Sequence, residues 1–510
     1  MTDLINEQPH RTWGESLKAF FSPKVITMLF LGFSAGVPLY LVFSTLSVWL
    51  REAGVERATI GFFSWAALAY GFKFVWAPLI DKLPVPVLAK LLGRRRAWLL
   101  VAQCAIIAAM LFMALTDPVG NLTVMALGAV MLAFSSATQD IVIDAYRIES
   151  GDADLQGLMT ATYIAGYRIG MLVAGAGALE LAGILDVIEG YDYTAWRSTY
   201  MAMAGVMGVG IVTTFMISEP NSNNRAADLL NTAQDYVRFL ALFVISAAVF
   251  VLVFRTMPDI ITPIQEALGK DLGKFVGGTL RLSISGSAAV LTGIILVRFG
   301  LVGRAVAYET YVAPFADFFK RYGKIALWIF LLIATYRIAD IVMGVMANVF
   351  YVDLGFEKQE IGRVSKAFGL GATLAGGFVG GLLMVRYGVM KILWLGGALS
   401  AATNVLFAAM ASMGPEIWVL ITVITADNVS AGIAMAAFVA YLSSLTSKGF
   451  TATQYALFSS IMMLGPKLLA GYSGVAVDAM GYAPFFITTA IIGVIPLVLI
   501  VIVARAAPRA

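Results

Sequence analysis

The residues equipped for chemistry in this chain are a few charged side chains set inside long apolar runs. They are Lys73, Asp140, Asp144, Arg168 and Glu180 in the first part, and Arg337, Asp340, Arg363, Lys366, Asp427 and Lys467 in the second. An ionisable group within lipid costs roughly 2.5–3.5 kcal/mol on insertion scales, so each of these should face a protein or aqueous interior. There a carboxylate can take up and release a proton, and a cation can hold an anionic cargo. Asp140 and Asp144 are four apart and share one helix face. The depth of Asp140 permits a pair with Arg168, while Asp144 more naturally meets Arg147. Arg337 and Asp340, three apart, pair along their own helix. Asp427, followed by Asn428, has no basic residue within a turn and is the freer proton site. The proton-coupling candidates are therefore Asp140, Asp144, Asp340 and Asp427. Arg168 and Lys467 are expected to face each other across a cavity. With Lys73, Tyr70, Trp76, Gln139, Tyr167, Arg337 and Asn428 they form the candidate substrate contacts. The bland alternatives are ion pairs that lock helices together and aromatic rings that face lipid.

Other chemistry is excluded by inventory. The chain has one cysteine, Cys104, and one histidine, His10 in the polar leading segment. No disulfide framework, cysteine zinc site or His-based catalytic centre can be built from these. No Walker-type glycine loop occurs, so energy must come from a gradient rather than from ATP. A net charge of +4 without a long basic tract argues against nucleic acid. No cofactor or metal is called for, and the chain reads as a non-enzyme.

The elements that must position these residues are membrane helices. Of the 510 residues, 60% are hydrophobic and only 13% charged, against roughly 25% charged in soluble domains. Apolar runs long enough to cross a bilayer fall near 24–50, 59–80, 97–116, 122–146, 158–185 and 196–217, here helices 1 to 6. Runs near 238–254 and 276–297 are helices A and B. Runs near 325–351, 359–384, 391–411, 417–443, 453–476 and 484–504 are helices 7 to 12. The first run is too long for a secretory h-region and lacks a cleavage motif. Trp13, Leu17, Phe20 and Phe21 before it have the spacing of an interfacial helix, as do Tyr308 to Phe319 in the segment 304–324. Lys82, Lys90, Arg94, Arg95 and Arg96 after helix 2, and Arg298, Arg304, Lys320, Arg321 and Lys324 before helix 7, fall on one side. This bias places both termini in the cytoplasm.

The chain is also duplicated. Gly54-Val-Glu-Arg-Ala-Thr-Ile-Gly61 returns as Gly355-Phe-Glu-Lys-Gln-Glu-Ile-Gly362, and Gly166-Tyr-Arg168 returns as Gly465-Pro-Lys467. Two parallel six-helix repeats are the layout of the major facilitator fold. The expected organisation is a tail (1–23), a first half (24–217), a linker with A, B and an interfacial helix (218–324), a second half (325–504) and a short tail (505–510). Helices 3, 6, 9 and 12 should be the outer supports, and apart from Arg197 and Lys391 at the very ends of helices 6 and 9 none carries a charge within its span.

Several segments resemble the AmpG muropeptide permease family. They are Phe72-Lys-Phe-Val-Trp-Ala-Pro-Leu-Ile-Asp81 with Gly93-Arg-Arg-Arg-Ala-Trp98, Ser136-Ala-Thr-Gln-Asp-Ile-Val-Ile-Asp144-Ala-Tyr-Arg147 and Gly166-Tyr-Arg-Ile-Gly-Met171. Asp427-Asn428, Ala437-Phe-Val-Ala440 and Thr451-Ala-Thr-Gln-Tyr-Ala-Leu457 extend the likeness into the second half. The resemblance implies a multi-pass importer in the bacterial inner membrane, and a monomer is the expected state. Its cargo would be N-acetylglucosaminyl-anhydro-N-acetylmuramyl peptides, driven by protons for peptidoglycan recycling and linked to β-lactamase induction. Asp81, Arg94, Arg95 and Arg96 resemble the cytoplasmic gate of facilitators, although twelve positions separate Asp81 from Gly93. Asp427 stands where the family pattern leads one to expect glutamate, and Lys467 where it leads one to expect arginine. The rival readings are a proton-coupled small-peptide symporter and a transferase acting on lipid-linked precursors. The first lacks its glutamate cluster here, and the second lacks a catalytic loop.

Overall fold

The computed structural model describes residues 13–56, 59–60, 63, 68–152, 155–188, 190–220, 233–257, 262–263, 270–470 and 473–506. Among these, twelve helical stretches are long and apolar enough to cross a membrane, which makes the chain a multi-pass membrane protein. One of them, Arg304–Leu354, runs from the expected interfacial segment into helix 7.

Residues 1–222 and 318–510 form one unit, and Asn223–Asp317 another. In the smaller unit, Ala233–Thr256 (helix A) and Lys270–Arg298 (helix B) pack together. Arg281 of helix B, a charge the sequence reading passed over, donates from Nε to the Phe254 carbonyl at 2.6 Å and lies over that ring at 3.8 Å. The guanidinium is thereby spent on the last turn of helix A, where a cation offsets unpaired carbonyls.

In the larger unit, glycine sets how closely helices approach. Helix 1 (Pro23–Val42, continued by Ser44–Glu52) meets helix 5 (Gln156–Leu172) backbone to backbone. A Cβ at Gly32 or Gly36 would lie 2.1 or 2.0 Å from the carbonyl oxygens of Tyr163 and Tyr167. A Cβ at Gly166 or Gly170 would lie 1.9 or 2.2 Å from those of Leu29 and Phe33. The second half uses the same device between helix 8 (Gly369–Tyr387) and helix 10 (Ile417–Ser444). There a Cβ at Gly376 would lie 2.2 Å from the Val429 carbonyl oxygen, and one at Gly432 2.2 Å from that of Thr373. In lipid, close backbone packing replaces the hydrophobic drive that joins helices in water.

Helix 4 (Leu122–Ser150) is buried along most of its last five turns. The helices expected as outer supports present apolar side chains outward, including Leu111 on helix 3, Val212 and Phe215 on helix 6, Val405 on helix 9 and Val498 on helix 12. Several elements are interrupted, helices 1, 6 and 12 at single residues and four others more widely. Helix 2 passes from Leu68–Phe72 through a tight turn at Lys73–Val75 into Ala77–Lys82. Helix 7 stops at Thr335 and restarts at Ile338, leaving Tyr336 and Arg337 between the segments. Helices 5 and 8 carry wide turns at Val173–Gly177 and Gly362–Phe368. Breaks of this kind are tolerated at membrane depth where they line a protein interior.

Candidate functional site

Three of these breaks carry cations singled out above, the wide turn of helix 8 holding Arg363 and Lys366. Lys73 sits in the tight turn of helix 2, and Arg337 in the gap of helix 7. Lys73 is buried, and its Nζ lies 3.6 Å from Asp144 Oδ2 on helix 4. The other Asp144 oxygen, Oδ1, accepts from Arg147 Nη2 at 3.3 Å. Asp144 therefore meets Arg147 as the spacing predicts, and Lys73 as well.

Asp140 makes no ion pair with Arg168. The Arg168 side chain is exposed, and the charges acting on Asp140 are Lys73 and Asp144. The pairing offered by depth fails because depth fixes height in the bundle and not azimuth around the helix. Asp140 is buried, and its Oδ1 has no hydrogen-bond partner. Its neighbour Gln139 is fully buried, accepting at Oε1 from Ser34 of helix 1 at 3.1 Å while Nε2 is left without a partner. Tyr163, Tyr167 and Tyr455 lie within electrostatic reach of both carboxylates, and Tyr70 within reach of Asp140. The result is a cage of two carboxylates, two cations and four phenols drawn from helices 2, 4, 5 and 11.

Trp76 takes no part in the cage's polar face. Its Nε1 donates to Thr138 Oγ1 at 3.1 Å and its ring packs on Phe134 at 4.6 Å, so it joins helix 2 to helix 4. It is buried there and does not face lipid.

The second half holds a smaller cluster. Arg337 Nε lies 3.3 Å from Asp340 Oδ2, as expected of the local pair. Ser400 on helix 9 (Val389–Met410) donates to Asp340, and Thr403 donates to Asp427 Oδ1 at 3.4 Å. Asp427 thus has a weak partner that its own helix did not reveal. Asn428 is tied down, accepting from Thr373 at 2.7 Å and donating to the Ile424 carbonyl at 2.9 Å. Its amide therefore joins helix 10 to helix 8. Glu180 and Arg363 are exposed. The side chains of Lys366 and Lys467 lie outside the described residues, and with Lys467 the facing pair with Arg168.

The gate candidates assemble despite their spacing, because the short helix Leu88–Leu92 takes up the extra residues. Arg95 donates from Nη2 to Asp81 Oδ1 at 2.8 Å and from Nε to Glu149 Oε2 at 2.9 Å. Arg94 bonds the Asp81 carbonyl, with its Nη2 at 3.7 Å from Glu149. Arg96 donates to the carbonyls of Thr214 and Phe215 at the end of helix 6, at 3.0 and 3.1 Å. Glu219 accepts from the backbone N–H of Arg95 and Arg96, at 2.8 and 3.1 Å, capping helix 3.

Asp81 then reaches into the other half. It accepts the N–H groups of Ala452 and Thr453 at 3.1 and 2.7 Å and the Thr453 hydroxyl at 2.7 Å, at the start of helix 11 (Thr451–Ala470). A carboxylate there satisfies orphan donors and meets the positive end of the helix dipole. Arg147, fully buried, makes the second bridge, donating to Ser443 Oγ at 2.9 Å. Among the described residues every hydrogen bond between the halves lies at this one end, which carries the basic loops.

Glu149, Glu219, Ser443, Thr453 and the bridging role of Arg147 were missed by sequence reasoning. The available signal was two glutamates ending helices 4 and 6 beside an arginine triplet. Among the described residues no cluster could hold a metal ion.

Asp81 lies just beyond the expected span of helix 2. Burial alone would raise its carboxyl, but the Arg95 and Arg94 guanidiniums, with bonds from Arg95 and Thr453, hold it below its ordinary value. A lowered carboxyl contributes stability that is complete above the unfolded value of about 3.9 and disappears as pH falls through the folded one. The melting-temperature gap between wild type and Asp81→Asn should therefore stay constant from about pH 7 to 5 and close only below about 4. A gap already closing at pH 6 would contradict this electrostatic account of the clamp.

Comparison with known proteins completes the picture. Residues 24–236 match the family model described as acetyl-coenzyme A transporter 1. The chain is 31% identical to transporter AmpG 4 of Rickettsia conorii over 475 residues, 93% of this chain and 95% of that protein. It is 30% identical to the anhydromuropeptide permease of Escherichia coli K12 over 487 residues, 95% of this chain and 81% of that one. Among solved structures it is similar to the E. coli fucose:proton symporter, with a TM-score of 0.58 and 12% identity, covering 96% of this chain and 98% of that one. That likeness gives the major facilitator fold.

Proposed function

Since the chain belongs to the AmpG family of transporters and has the major facilitator fold, we propose that it imports anhydromuropeptides across the bacterial inner membrane, driven by protons. In this reading the cargo is two linked amino sugars carrying a short, carboxylate-bearing peptide, destined for peptidoglycan recycling and the linked induction of β-lactamase. Both termini are cytoplasmic, as the basic-residue bias suggests. The end held shut by Asp81 and Arg147 is then the cytoplasmic one, and the molecule is poised to load from outside.

The observation that carries the proposal is the buried cage in the first half. Lys73 offers a cation to a carboxylate, and the four tyrosines offer faces to sugar rings and hydroxyls to their substituents. Asp140 has a buried oxygen with no hydrogen-bond partner, so it is the carboxylate with most to gain from a proton. This moves the weight from Asp427, which has Thr403, to Asp140. Protein-level alternation between the two accesses supplies the cycle.

The experiment is competition for uptake in proteoliposomes. Unlabelled anhydromuropeptide should suppress entry of labelled anhydromuropeptide at concentrations where tripeptide does not. Equal suppression by both would favour the peptide symporter. The same assay checks Lys73→Met, which should weaken uptake at least about tenfold, the scale of one charge-assisted contact. Uptake at the wild-type level would remove Lys73 from cargo binding.

A further inference from the structure

The cage and the closed end share one side chain. Asp144 gives Oδ2 to Lys73 at 3.6 Å and Oδ1 to Arg147 at 3.3 Å. Arg147 in turn gives Nη1 to Thr160 at 3.0 Å, to Gln156 at 3.3 Å and, across the halves, to Ser443 at 2.9 Å. We infer that Asp144 is the positioning residue that reports occupancy of Lys73 to the Arg147–Ser443 lock, and so ties cargo loading to opening of the closed end.

The charges give the direction. The cage holds Asp140 and Asp144 against Lys73 and Arg147, two of each sign, one helical turn apart along helix 4. Tyr70 of helix 2, Tyr163 and Tyr167 of helix 5 and Tyr455 of helix 11 are the other titratable groups facing it. Such a set is balanced while empty. When an anionic group draws Lys73 away, the two carboxylates are left with Arg147 as their remaining cation in the cage. The guanidinium is pulled toward them, because an uncompensated buried charge is worth more than a neutral hydrogen bond. The bond that gives way is the one to the Ser443 hydroxyl, the bond by which Arg147 joins the halves beside the separate Asp81 clamp. Gln156 and Thr160 lie on helix 5 of the same half and move with helix 4. Lys73 does not touch Ser443, and the described contacts connect them through Asp144 and Arg147. The inference deepens the transport reading and uses the same cage, but its test needs no cargo and stands apart from the identity of the substrate.

The test is a distance measurement between spin labels at Lys90→Cys and Lys448→Cys, exposed positions at the closed end on opposite halves, in a Cys104→Ser background. Lys73→Met, which mimics the lysine drawn away, should raise the ratio of open to closed distances about tenfold, one charge-assisted bond's worth. With Asp144→Asn already present, the same Lys73→Met change should shift the ratio less than about twofold, because the connecting carboxylate is gone. Should Asp144→Asn fail to yield folded protein, Ser443→Ala serves as the second background. There the ratio starts high, and Lys73→Met should again add little. An equal shift in all backgrounds overturns the inference, as does an unmoved ratio for Lys73→Met alone where Ser443→Ala opens the same end. Failure of anhydromuropeptide transport in a protein that shows this pattern would count against the substrate only.

Discussion

Gly166→Ala should cost the folded transporter more than any other single methyl group added to it. A Cβ there would stand 1.9 Å from the Leu29 carbonyl oxygen and 2.8 Å from its carbon, both backbone atoms of helix 1. A flexible side chain could turn aside, but a helix backbone cannot. The helices must separate, and separation loosens the reciprocal contacts at Gly32, Gly36 and Gly170, which lie along the same seam. Overpacking a well-packed site costs roughly 1–3 kcal/mol, and here the strain falls on a whole helix pair, so about 3 kcal/mol is expected. Gly183, one segment further along the same run, has open space where its Cβ would go. Gly183→Ala should therefore be neutral or slightly stabilising. Melting of detergent-purified protein compares the two directly. A Gly166→Ala protein as stable as Gly183→Ala would show that the helix 1–helix 5 seam is not held by backbone contact.

The second large effect is expected from Asp81→Ala. Its carboxylate is 1% exposed and serves Arg95, two backbone N–H groups of helix 11 and the Thr453 hydroxyl at once. Truncation leaves the Arg95 guanidinium short of a buried partner and uncaps helix 11, a loss of about 3–5 kcal/mol for breaking one side of a buried pair. Thr453→Ala removes a single hydroxyl and should cost about 1 kcal/mol. The two variants also differ in kind. Asp81→Ala unties the halves, so the labelled closed end should open and uptake should fall at least about tenfold. Thr453→Ala keeps the carboxylate on the helix N-terminus and should transport within about twofold of wild type. Equal stability and transport for the two would mean that the clamp acts through the threonine alone.

Much of the fold was legible because lipid imposes a simple rule on sequence. Runs of about twenty apolar residues and the exclusion of charge from the interiors of helices 3, 6, 9 and 12 follow from the cost of burying polar groups in hydrocarbon. The local pairs Asp144–Arg147 and Arg337–Asp340 were legible for the same reason that helical spacing is regular. What failed was everything that depends on azimuth. Asp140 and Arg168 sit at compatible depths, yet Arg168 points out of the cage. Trp76 looked like an aromatic platform and is instead buried between two helices. The break at Arg337 left no adjacent glycine or proline signature, whereas the one at Lys73 is followed by Pro78 in the first turn of Ala77–Lys82. Arg281 was missed because it lies within an apolar run and caps a neighbouring helix rather than its own.

The account rests on a proton entering with the cargo through the cage of the first half. Uptake of labelled anhydromuropeptide into proteoliposomes, with and without an inward proton gradient, tests this most directly in wild type, Asp140→Asn and Asp427→Asn. Wild type and Asp427→Asn should accumulate cargo against its gradient only when protons flow inward. Asp140→Asn should exchange internal for external cargo yet accumulate none. Accumulation by Asp140→Asn at the wild-type level, or accumulation by wild type without a proton gradient, would contradict the account.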